Sequence, residues 1–175
     1  MKHFITSDLH FWHQNILKYS PQTRGQWATV EDMNKGIVEA WNQLVTVEDH
    51  TYILGDIAFC GVDKAVELLN QLNGTKTLII GNHDEKLAQH AKFRNCFVEV
   101  AHYKTIKHND QYIVLMHYPI AQWDRKHYGS LHFHGHMHGK PSGLEGRNHL
   151  DVGFDSLGTV VTSLDTAIFL ARYGA

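Results

Sequence analysis

The stretch TYILGDIAFCGVDKAVELLNQLNGTKTLIIGNHD, residues 51–84, decides how this chain folds. Thr51–Leu54 is a short, apolar, β-prone run that stops at Gly55-Asp56. Val62–Leu72 then reads as a helix, with Val62, Val66 and Leu69 on one face and C-cap chemistry at Asn73-Gly74. Thr77–Ile80 is a second buried strand, and it runs directly into Gly81-Asn82-His83-Asp84. The order is strand, helix, strand, and both strands end in polar groups. In α/β folds, ligand sites lie just past the C-terminal ends of buried strands.

The same layout extends to both sides. Phe4–Ser7 is a strand that ends in Asp8-Leu9-His10, and Phe11–Ser20 is a loop or short helix halted by Pro21. Pro21–Ala28 is a polar loop. Thr29–Val45 is the clearest helix: Thr29 and Asp32 resemble a capping box, and Met33, Ile37, Trp41 and Leu44 form one apolar face. Gly36 inside it is a mild cost. After Asp84, Glu85–Ala91 is a short helix. Then come strands in series, Phe97–Tyr103, Lys104–Lys107 and Gln111–Met116, with a turn at Asn109-Asp110. The third ends in His117-Tyr118-Pro119.

A loop over residues 120–130 leads to Leu131–Gly139, LHFHGHMHG, whose histidines alternate. Alternate positions of an extended chain face the same way. His149–Gly153 is another strand, and Ser163–Ala171 a final helix capped by Ser163. With βα units first and strands in series after, the chain predicts two sheets with helices outside, a layered α/β sandwich in a single domain over 1–175.

Composition narrows the function. Sixteen basic and 18 acidic residues give a net charge of -2, so no global basic field points to long nucleic acid. The 15 histidines exceed ordinary core or surface use and favour metal chemistry. Cys60 and Cys96 build no disulfide framework. The N-terminus lacks the apolar region of a signal peptide, and no apolar run reaches membrane-spanning length. A reducing, cytoplasmic setting is expected.

Five strand-like runs thus end in groups able to bind metal: Asp8-Leu9-His10, Gly55-Asp56, Gly81-Asn82-His83-Asp84, His117 and Gly135-His136-Met137-His138. Each alone is weak, since Asp-x-His is often a cap and Gly-Asp a turn. Together, each at a strand end, they are hard to explain as chance. Carboxylates, an amide oxygen and imidazoles without thiolate suit Mn²⁺, Fe, Zn²⁺ or Co²⁺. Two such ions sit about 3.5–4 Å apart and need a bridging carboxylate.

In this order the blocks read D-x-H, G-D, G-N-H-D, H and G-H-x-H, and the chain resembles the calcineurin-like metallophosphoesterase superfamily, in its small bacterial or phage-type branch. The resemblance implies a four-layer αββα sandwich of two mixed β-sheets flanked by helices. It implies a metal-dependent hydrolase of a phosphodiester or small nucleotide, working through a dinuclear-metal hydroxide. The cofactors would be two divalent ions, Mn²⁺ first, with Fe, Zn, Co or Ni as alternatives. Asp8, His10 and His138 would hold one ion, Asn82, His117 and His136 the other, and Asp56 would bridge them. His83 would stabilise the phosphoryl oxygens and protonate the leaving alcohol, with Asp84 orienting it. After Gly55-Asp56 the chain reads Ile57-Ala58-Phe59-Cys60, and after Asp84 it reads Glu85-Lys86. The acid and arginines of the protein phosphatase branch are absent from both places. A phosphomonoesterase, or a non-catalytic metal-binding interaction module on the same fold, are the alternatives.

Outside the blocks, His13, Trp123 and Arg125 are candidates for substrate contact. Arginine clamps phosphate and tryptophan stacks on bases. His132 and His134 would support the ligands, and Asp155 would accept a hydrogen bond behind the site. Cys60 reads as an inert thiol.

Overall fold

The computed structural model describes residues 1–144 and 146–174. In chain order the elements are β1 (His3–Thr6), α1 (Ile16–Tyr19), α2 (Pro21–Arg24), α3 (Val30–Leu44), β2 (His50–Ile53), α4 (Val62–Leu69), β3 (Thr75–Ile79), α5 (Glu85–Ala88) and α6 (Ala91–Arg94). They continue with β4 (Glu99–Ala101), β5 (Tyr103–His108), β6 (Gln111–Met116), a 3₁₀ turn at Lys126–Tyr128, β7 (Leu131–His134), β8 (His149–Asp151), α7 (Phe154–Leu157), β9 (Thr162–Ser163) and α8 (Leu164–Tyr173).

The strands pair into two sheets, ordered β4-β3-β2-β1-β9 and β5-β6-β7-β8. In the first, β1 to β4 are parallel and β9 is antiparallel to β1. In the second, β5 is antiparallel to β6, and β6, β7 and β8 are parallel. Both sheets are mixed, and helices flank them, as the sequence and the resemblance predict.

The strands of the first sheet alternate between two apolar clusters. Phe4, Ile53 and Leu78 face the helices, packing with Met33, Ile37 and Trp41 of α3 and with Ala65, Leu68 and Leu69 of α4. Their neighbours Ile5, Leu54 and Ile79 face the second sheet and meet Ile113, Leu115, Leu131 and Phe133. Successive strand residues point to opposite faces, so apolar runs in these strands fill both sides. Helix α8 packs against β1, β9 and β8, bringing Leu164, Ala167 and Ala171 into the inter-sheet cluster.

Local chemistry explains the element ends. Thr29 accepts a hydrogen bond from the Asp32 N–H and starts α3. Leu44 was expected on the apolar face of α3 but is 51% exposed, and the fully buried Val45 closes that face instead. Gly36 has a packing reason, because a Cβ there would run into the Trp27 indole. Helix α4 ends at Leu69, earlier than expected, and its buried residues are Ala65, Leu68 and Leu69. The strand expected over 97–103 shrinks to β4 and joins the first sheet. Phe97 instead packs edge-on to Phe93 in the helix-side cluster. Pro21–Arg24, read as a polar loop, is a helical turn.

Parallel pairing fixes the functional edge. The C-terminal ends of β1, β2 and β3 lie side by side, as do those of β6 and β7. The two sheets are tied there by His117, whose Nδ1 bonds the Leu54 carbonyl at 2.6 Å. Among the described residues, no helix is long and apolar enough to cross a membrane.

Candidate metal centre

The turns that leave the strand ends are unusual in their backbone. Asp8 (φ 58°), His10 (52°), Asp56 (53°), His136 (71°) and His138 (50°) all occupy the left-handed region. That conformation costs about 1–2 kcal/mol for a residue with a Cβ. Strain of this kind persists where the surrounding structure over-determines it, and it collects at functional sites. Here Asp8 N–H bonds the Gly55 carbonyl and His10 N–H the Asp56 carbonyl, each at 3.0 Å, so two strained turns are zipped together. The loop after β7 joins them through His136 N–H, which donates to Asp8 Oδ2 at 2.9 Å. Gly135 allows that approach: a Cβ there would strike Ser7 Oγ and Asp8 Oδ2.

Two groups of ligand atoms result. Asp8, His10 and His138 bring one atom each within 4.8 Å of one another, and so do Asp56, His117 and His136. In the first group, Asp8 Oδ1 lies 3.8 Å from His10 Nε2 and 3.7 Å from His138 Nε2. In the second, Asp56 Oδ2 lies 3.7 Å from His117 Nε2. Asn82 Oδ1 joins them, 2.9 Å from His117 Nε2 and 3.1 Å from His136 Nδ1. Asp56 Oδ2 is also 3.8 Å from His10 Nε2, so this one carboxylate faces both groups.

The donor set fits divalent cations. Asp8 Oδ1 and His10 Nε2 are buried and have no hydrogen-bond partner among the described residues. Burying such atoms unpaired costs about 1–3 kcal/mol each. Ligand atoms 3.7–3.8 Å apart are spaced as two ligands at about 2.1 Å around one ion.

Comparison with known proteins bears on the fold. No protein-family model matches the chain. An uncharacterized protein of Methanocaldococcus jannaschii is 35% identical over 152 residues, covering 86% of this chain and 72% of the relative. A protein of unknown function from Aquifex aeolicus superposes with a TM-score of 0.75 at 24% identity, covering 97% of this chain and 98% of that one. The phosphoesterase Yfce from E. coli has the same fold, with a TM-score of 0.50 and 18% identity over 93% of this chain and 81% of its own. The chain is a homologue of the Methanocaldococcus protein, and it shares its fold with the phosphoesterase Yfce.

Behind the two groups of candidate ligands lies a buried ion pair that the sequence does not announce. Arg24 is fully buried, and its Nε donates to Asp155 Oδ1 at 2.8 Å. Its other nitrogens donate to the Leu9 and Asp8 carbonyls at 2.8 and 2.6 Å. Asp155 also accepts from Ser20, Thr23 and His138 Nδ1, the last at 2.7 Å. Burial alone would raise its carboxyl, but His138 and Arg24 hold it well below the usual range. A carboxylate on the far nitrogen of a ligating histidine fixes ring orientation and raises basicity. Burial opposes charge on His138, yet Asp155 and Asp8 shift it upward overall. Burial keeps His10 low and neutral, the form that ligates.

Asp84 requires a correction. Its carboxylate accepts from the backbone N–H groups of Asp56, Ile57 and Gly81 at 2.7, 2.9 and 2.9 Å, instead of orienting the His83 ring. It fastens the Asp56 turn to the Asn82-His83 turn. Burial pushes its pKa up to about 6 against those three hydrogen bonds.

His83 stands half-exposed, with Nε2 3.9 Å from Asp56 Oδ2 and its backbone N–H on Asp56 Oδ1. His13 is brought to the site. Its Nδ1 is 3.1 Å from His10 Nδ1, and its ring stacks 4.0 Å from Phe59. Burial, then the closeness of the His10 ring to any charge placed on it, lowers His13 to about 4. Phe59 also tilts against His83 at 4.5 Å. The sequence hinted at Phe59 only through its place three residues after Asp56.

Trp123 and Arg125 fall elsewhere, which corrects their expected contact with substrate. Trp123 is buried, with its ring 5.2 Å from His132 and its N–H on Ser130 Oγ. Arg125 lies over Tyr112, 4.1 Å from the ring centroid. Both sit toward the N-terminal ends of β6 and β7, the edge opposite the metal groups. His132 and His134 are buried on β7. His132 accepts from Ile120 N–H, and His134 Nδ1 bonds the Gly135 carbonyl at 3.0 Å.

Proposed function

We propose that this chain is a metal-dependent phosphoesterase that hydrolyses a phosphodiester or small nucleotide in a cytoplasmic setting. The observation that carries this reading is Asp56 Oδ2, which faces His10 on one side and His117 on the other, with His83 Nε2 3.9 Å away. Asp8, His10 and His138 would hold one divalent ion, Asn82, His117 and His136 a second, and Asp56 both. Mn²⁺ is the first candidate, ahead of Fe, Zn, Co and Ni. Bound there, such ions polarise phosphoryl oxygens and bring the pKa of water near neutrality.

The chain's own residues divide the remaining work. His83 is half-exposed beside Asp56, and it gives its proton to the leaving oxygen. Asp84 holds the two turns so that His83 and Asp56 keep their relation. Asp155 and Arg24 keep the His138 ring and the Asp8 turn in place. His13 borders the His83 side, where it contacts the substrate.

The test is hydrolysis of bis-p-nitrophenyl phosphate and p-nitrophenyl phosphate with Mn²⁺, by wild type and His83→Ala. The reading predicts diester turnover that falls about 10²–10⁴-fold in His83→Ala, the range for loss of a general acid. No turnover of either ester or of any nucleotide by the loaded wild type would sink it. Preference for the monoester would favour the phosphomonoesterase alternative.

A further inference from the structure

A histidine that gives a proton must hold its ring toward the oxygen that receives it. Hydrogen bonding does little of this for His83. Its backbone N–H donates to Asp56 Oδ1 at 2.9 Å, which fixes the Cα but leaves χ1 and χ2 free. Among the described residues, one carboxylate oxygen stands within 4 Å of the ring nitrogens. It is Asp56 Oδ2, and its 3.9 Å is too long for a hydrogen bond. Asp84, the expected orienter, has both oxygens on backbone N–H groups. A cleft of about 340 Å³ beside the ring, walled on its far side by Cys60, Lys86 and Leu87, leaves room for the ring to turn.

The side chain that meets the ring is Phe59. The two centroids are 4.5 Å apart with the planes at 45°, inside the range where aromatic rings attract one another. The His10 ring is farther, at 6.1 Å and edge-on. Phe59 is itself held from several sides. Its N–H donates to the Phe11 carbonyl at 2.8 Å, and Ala58 forms a bridge with Phe11, so its backbone is pinned to the turn after β1. Its ring lies nearly parallel to His13 (11°, 4.0 Å) and to His10 (18°, 4.9 Å). The same loop carries Asp56, and Asp84 fastens it through the N–H groups of Asp56 and Ile57. One short segment thus places both the carboxylate that faces the two ligand groups and the surface on which His83 rests.

We propose that Phe59 is the positioning residue of His83: its ring holds the imidazole with Nε2 on the Asp56 side, ready for the oxygen that leaves phosphorus. The proposal rests on the phosphoesterase reading. An aromatic contact of this kind favours one ring orientation by a factor of about two to twelve. The proton moves only in the chemical step, so that factor falls on kcat and leaves KM alone.

Phe59→Ala and Phe59→Tyr provide the test. In the metal-free protein, the Hα–Hβ couplings of His83, read by NMR, should report one χ1 rotamer in wild type and in Phe59→Tyr, and an average over rotamers in Phe59→Ala. Averaging in wild type, or a single rotamer that survives in Phe59→Ala, overturns the proposal. With Mn²⁺ bound, kcat for bis-p-nitrophenyl phosphate should fall about two- to twelvefold in Phe59→Ala at an unchanged KM, and Phe59→Tyr should restore it. Added to His83→Ala, Phe59→Ala should lower kcat no further, and an equal loss in that background overturns the proposal. Mn²⁺ affinity, by calorimetric titration, should be the same in Phe59→Ala as in wild type. A drop that accounts for the lost turnover would assign the effect to His10, on which Phe59 also stacks, and would overturn it too. If wild type hydrolyses neither this ester nor p-nitrophenyl phosphate, the phosphoesterase reading fails, and the couplings alone decide whether Phe59 orients His83.

Discussion

His136 shows how single residues are spent on function. Its φ of 71° is one an Ala or His adopts at a cost and a Gly adopts freely. In the metal-free protein, His136→Gly should therefore be more stable than His136→Ala by about 1 kcal/mol, although both lose the ligand. Chemical denaturation of the two variants checks this, and equal stabilities would remove the strain argument. His132 makes a different residue-scale prediction. Burial, then the neighbouring His134, lowers its pKa from 6.5 to about 4. The folded state thus resists a proton that the unfolded chain accepts below pH 6.5. Stability is full above that pH and falls as pH drops from 6.5 toward 4, by about 3 kcal/mol from this group. His132→Gln keeps a donor and an acceptor but does not titrate, so its stability should be flatter across that window. An unchanged acid limb would contradict the assignment.

At the scale of elements, the chain brings α2 and α7 to the metal edge through Arg24 and Asp155. Breaking one member of a buried pair costs about 3–5 kcal/mol, so Arg24→Met should lower the unfolding free energy by about that amount. Asp155→Asn removes the charge behind His138 and should weaken metal binding 10–100-fold, read by calorimetric titration. Unchanged affinity would make Asp155 a purely structural residue. Asp155 was legible as an acceptor behind the site, but its Arg24 partner was not, because a loop arginine four residues after a serine carries no local signal of burial. Asp8, His10, Asp56, Asn82, His117, His136 and His138 were legible, because strand periodicity places each at a strand end and parallel pairing puts those ends on one edge. Trp123 and Arg125 were misplaced for a reason of topology. Strands β6 and β7 are parallel, so residues 120–130 must travel back along the sheet to the start of β7. Both ends of that loop lead to site residues, but its middle lies at the opposite edge. Asp84 was misread because adjacent residues in a turn point in different directions.

For the whole molecule, two sheets built on alternating apolar strands form a base, and the strained turns that carry Asp8, His10, Asp56, His136 and His138 lie along one edge of it. An ion that binds only the folded state stabilises it by about 2.7 kcal/mol at a hundredfold excess over Kd. Mn²⁺ should therefore raise the melting temperature in a concentration-dependent way, and chelation should reverse the gain. The most direct measurement is the number of Mn²⁺ ions bound per chain, by native mass spectrometry on wild type and Asp56→Ala. The account predicts two in wild type and fewer in the variant, since Asp56 faces both groups. A wild-type chain that binds no Mn²⁺, or an Asp56→Ala variant that still holds two, would contradict it.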